Sequence, residues 1–140
     1  MDFSQIIGLS RIKNNLQISV NNGRIPHAQM FSGTNGSGLL PLALAYAKIL
    51  LCTPFSPESS AYQRAANQVD NLIHPDLHFM YPVNSAETLK KSPRVLDFLP
   101  QWRAFIKETP YGSLTAWYDH IGLGILNQKK AKPFHCQSSD

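Results

Sequence analysis

The stretch Gly33-Thr34-Asn35-Gly36-Ser37-Gly38-Leu39-Leu40 decides how this chain is read. It follows a short, mostly apolar run, Gln29-Met30-Phe31, and leads into the apolar residues Leu42 to Leu51. Strand, glycine loop, helix is the order of a phosphate-binding loop, whose pattern is G-x-x-x-x-G-K-[ST]. Gly33 and Gly38 stand at the two glycine positions, and Leu39 and Leu40 stand where the lysine and the hydroxyl belong. The spacing points to nucleotide-binding ancestry. The side chains that would touch the β- and γ-phosphates and a Mg²⁺ ion are missing.

A glycine loop ahead of a helix attracts anions because successive N–H groups converge there and the helix N-terminus carries partial positive charge. Those contributions need no side chain, so Gly33, Asn35, Gly36, Ser37 and Gly38 can form an anion nest and hold ATP or ADP weakly. Phosphoryl transfer needs more: a cation on the γ-phosphate and a metal held in place. Two readings stand at this point, a degenerate P-loop and a plain glycine turn joining a strand to a helix. No catalytic residue is assigned in either.

Outward from the loop, Ser10 to Asn22 reads as an amphipathic helix, with Ser10 as N-cap and Ile12, Leu16 and Val20 at four-residue spacing. Ala28 to Ser32 is the first strand candidate and Leu77 to Tyr81 the second. Pro41 suits the first turn of a helix that runs to Cys52, and Ser59 to Leu72 is helical in composition. Asn84 to Pro93 reads as a loop. Pro100 kinks or splits a helix over Arg94 to Lys107, and Ser113 caps a last helix that ends at Gly122. This alternation predicts an α/β fold, a partial P-loop NTPase domain with an incomplete parallel sheet and helices packed around it. The domain is placed at residues 1–124, with 125–140 an atypical, disordered tail that carries Lys129, Lys130 and Lys132.

Composition sets outer limits. The chain has 140 residues, 43% hydrophobic and 16% charged, with a mild net charge of +4. These are ordinary values for a globular chain. No run approaches the ~20 apolar residues of a membrane span. The N-terminus does not read as a signal peptide, and Cys52 and Cys136 make no disulfide framework, so a cytoplasmic protein is expected. His74-Pro75-Asp76-Leu77-His78 invites a metal reading, but Pro75 keeps the two imidazoles off one helical face. Trp102, Phe105, Tyr111, Trp117 and Tyr118 could offer a base-stacking surface; interleaved with Leu99, Ile106 and Leu114, they read as core.

Several stretches then converge on a family. Phe3-Ser4-Gln5-Ile6-Ile7-Gly8, the helix with Ile12, Lys13 and Leu16, and Gly23-Arg24-Ile25-Pro26-His27-Ala28-Gln29-Met30-Phe31 come first. The glycine loop, Ala43-Leu44-Ala45-Tyr46-Ala47 and His74-Pro75-Asp76-Leu77-His78-Phe79 follow. In this order they resemble the N-terminal AAA+ part of the delta-prime subunits of bacterial DNA polymerase III clamp loaders. The form of the Bacteroidetes group also has a segment similar to Phe105-Ile106-Lys107-Glu108-Thr109-Pro110-Tyr111-Gly112. The resemblance implies a non-catalytic clamp-loader subunit in DNA replication. Its partners would be the other loader subunits and, through them, the sliding clamp and primed DNA, with no membrane and no small-molecule substrate. It also puts Ile7 and Gly8 where AAA+ proteins hold adenine. Members usually carry a zinc-binding cysteine insertion after the P-loop helix; only Cys52 stands at a matching place, so no zinc and no required cofactor are expected. The family continues into a Walker B strand, an arginine-finger motif and further domains, and the residues after Gly124 do not match that continuation. Two alternatives remain: a small P-loop ATPase or kinase that draws its cation from Arg24 or Lys13, and a nonfunctional truncated fragment.

Overall fold

The computed structural model describes residues 1–83 and 94–122. The chain separates into two compact units, Met1–Leu77 and His78–Asp140. The sequence-predicted tail at 125–140 and loop at 84–93 lie outside the described residues.

In the first unit, a 3-10 turn at Phe3–Gln5 precedes α1 (Ser10–Asn21), α2 (Leu39–Cys52) and α3 (Ser60–Asp70). A helix that is apolar nearly all round belongs in the middle of its unit, and α2 is such a helix. Its Pro41, Leu42, Leu44, Ala45 and Tyr46 are all buried. The 3-10 turn, α1 and α3 all pack on it. Ile6, Leu42 and Ala45 form one buried cluster, with Phe3, Leu9, Leu16 and Phe31 against it. α3 starts where a serine can cap it: the Tyr62 N–H donates to Ser59 Oγ at 3.1 Å. Its Ala65 and Val69, four residues apart, are buried on one stripe.

α1 begins one residue earlier than a Ser10 cap requires. The carbonyl of Leu9 accepts the Lys13 N–H at 2.9 Å, so Leu9 is the cap, with φ of +58°. Ser10 is the first helical residue, and no side chain caps this helix.

The second unit holds a 3-10 turn at Val95–Phe98, then α4 (Leu99–Glu108) and α5 (Leu114–His120). Pro100 does split the predicted helix. It sits in the first turn of α4, where its missing N–H costs nothing. Ser113 caps α5, accepting the Ala116 N–H at 3.2 Å. Of the aromatic residues read as core, Phe105 and Trp117 are buried, Trp102, Tyr111 and Tyr118 are half-buried, and the interleaved Leu114 is exposed. Tyr81 and Trp102 stack at 4.3 Å, and Trp117 stands edge-on to Trp102 at 5.0 Å. Two polar ends are satisfied by carbonyls: Tyr81 Oη donates to Val95 O at 2.7 Å, and Trp117 Nε1 donates to Pro82 O at 2.8 Å. Burial pushes the Tyr81 phenol up to about 12, with Arg103 opposing the shift.

The expected α/β fold with a parallel sheet is not found. Among the described residues every regular element is helical. A strand is defined by the ladder it shares, not by its own composition. In Ala28 to Ser32 one side leans on a helix instead: Gln29 Nε2 donates to Tyr46 Oη at 2.9 Å, and Phe31 meets the Tyr46 ring edge-on at 6.2 Å. Met30, between them, is 90% exposed. The second candidate straddles the boundary between the units. Its alternation is real, with Phe79 and Tyr81 turned in and His78 and Met80 exposed. The inward residues pack against α4 and α5 aromatics rather than against a neighbouring strand.

Candidate functional site

The glycine loop is built as a tight turn that feeds α2. The Ser37 N–H donates to Thr34 O at 3.2 Å. Gly36 and Gly38 have φ of +78° and +83°, the left-handed region that only glycine enters without strain. Gly38 is the N-cap of α2, and its carbonyl accepts the Leu42 N–H at 2.9 Å. Thr34, Asn35 and Gly36 are exposed on the outer side of the turn.

Two side chains of the turn and of α2 lie close to Gly33. A Cβ placed on Gly33 would lie 3.0 Å from Ser37 Oγ and 3.3 and 3.5 Å from the two δ-carbons of Leu39. Leu39, at the lysine position, therefore folds back over Gly33. Ser37 Oγ is buried with no hydrogen-bond partner. Leu40, at the hydroxyl position, is half-buried and offers no oxygen to a metal.

The Ile6-Ile7-Gly8 turn reaches the helix that follows the loop, because Ile6 packs into the cluster with Leu42 and Ala45. Gly8 and Leu9 are both left-handed, at φ of +68° and +58°. Lys13 holds this turn shut: its Nζ donates to Phe3 O at 2.9 Å and to Ile6 O at 2.7 Å. Ile7 points its side chain outward and is 83% exposed. The site residues expected from sequence thus lie on two segments, both anchored on the N-terminal half of α2.

Two lysines near the loop's helix are engaged elsewhere. Lys13 is bound to carbonyls, as described. Lys48 of α2 pairs with Asp2 at 3.0 Å and with Asp70 of α3 at 2.7 Å. Burial opposes its charge, but the hydrogen bonds to Asp70 and Asp2 outweigh burial and raise its pKa. Asp70 is the mirror case. Burial disfavours its carboxylate, yet Lys48 and the Met1 amino group, also bonded to it, lower its pKa. Arg24 is exposed.

His74 Nδ1 accepts the Asp76 N–H at 3.2 Å, which commits that nitrogen to the turn. Among the described residues no group of three or more His, Cys, Asp or Glu side chains could hold a metal ion. Burial raises the thiol pKa of Cys52. Nor is any described helix long and apolar enough to cross a membrane. Sequence reasoning missed the Lys13 clasp and the Tyr46 anchor. Neither has a sequence signal, because each depends on which carbonyl or side chain the fold brings near.

A family model described as DNA polymerase III, delta subunit, matches residues 8–112. The chain is also similar to DNA polymerase III subunit delta' of Bacillus subtilis (strain 168), 33% identical over 72 residues. That match takes in 51% of this chain and 22% of the relative, so the chain corresponds to about a fifth of the relative's length. No solved structure matches the chain.

Proposed function

The chain belongs to the family described as DNA polymerase III, delta subunit, and from that premise we propose that it serves DNA replication as a delta-prime-like clamp-loader component, acting through subunit contacts rather than chemistry of its own. The observation that carries this reading is the family match over 8–112, which takes in the glycine loop, all of α2 and α3, and the turn at Gly112. Its partners are the other loader subunits and, through them, the sliding clamp and primed DNA.

Within that role the loop is a remnant nucleotide site. Gly33, Asn35, Gly36, Ser37 and Gly38 form the phosphate side, and Ile7 and Gly8 the base side. No cofactor is required, and ATP or ADP binds weakly at most. The engagement of Lys13 with Phe3 O and Ile6 O, and of Lys48 with Asp2 and Asp70, supports a loop without a cation. A phosphate group held without a countercharge gains little and turns over less. ATP turnover by the purified chain tests the silent site. The expected rate is background; turnover above background that disappears in Gly38→Ala would overturn it.

A further inference from the structure

We draw no further inference here: the strongest candidate, the apolar surface patch at 28–32 ahead of the glycine loop, where Met30 is 90% exposed, carries nothing, because nothing in the structure shows what covers it.

Discussion

Replacing Gly112 with alanine is expected to destabilise the second unit sharply, and the structure fixes why. The added Cβ would lie 2.6 Å from Phe105 Cζ and 2.9 Å from the Thr109 carbonyl oxygen. Phe105 cannot swing away: it is 3% exposed, with the rings of Trp102, Trp117 and His120 centred 5.9, 5.5 and 5.5 Å from its own. Thr109 O cannot retreat cheaply either, because it accepts the Gly112 N–H at 2.9 Å and closes the turn between α4 and α5. Overpacking of a filled core costs about 1–3 kcal/mol, and a clash that includes backbone belongs at the upper end. For a unit of this size that is a fall of roughly 20 °C in melting temperature. The chain's two tryptophans, Trp102 and Trp117, both lie in the second unit, so tryptophan fluorescence during urea unfolding reads that unit alone. Phe105→Leu removes the ring atom nearest the new methyl. Its cost and that of Gly112→Ala should therefore add to more than the cost of the double variant. A shift in midpoint worth less than about 0.3 kcal/mol, with the urea dependence unchanged, would refute the reasoning.

Two further outcomes follow from the polar contacts. Asp70→Asn should destabilise the α2–α3 pairing by about 1 kcal/mol near neutral pH, a modest figure because the carboxylate is partly exposed. The Asp70 pKa is lowered on folding, so its contribution is present above the ordinary carboxylate range and is lost as pH falls through the lowered value. The difference between variant and unaltered chain, followed by urea unfolding, should shrink as the pH is taken down below the ordinary carboxylate range. A difference that grows on acidification would contradict the pairing. Trp117→Phe keeps most of the ring but leaves Pro82 O without the Nε1–H donor, and should cost about 2 kcal/mol, read by circular dichroism in urea.

The helices were legible because their signals are local. The spacing of Leu16 and Val20, the serines at 59 and 113 and the proline at 100 each act within a turn or two of chain, and the structure uses all of them, whereas Ile12 of the same predicted stripe is exposed. Leu9 escaped notice as the cap of α1 because a leucine at φ of +58° is held by packing against Ile6 and Leu42, not by its own preference. The sheet failed for a related reason. Apolar runs at 28–32 and 77–81 carry the right residues, but a ladder depends on a partner, and in the described residues Tyr46 and the aromatic core take the inward side chains instead. The candidate site was legible as spacing, in Gly33 and Gly38, and as missing chemistry, in Leu39 and Leu40. That Leu39 lies against Gly33 needed the three-dimensional path of its side chain.

The central claim is that this chain is a non-catalytic clamp-loader component, and co-purification tests it most directly. The chain, tagged and expressed in its cell of origin, should recover the other clamp-loader subunits in fixed proportion, and Leu39→Lys should recover them equally well. Recovery of chaperones alone, with no loader subunit at any salt concentration, would contradict the claim.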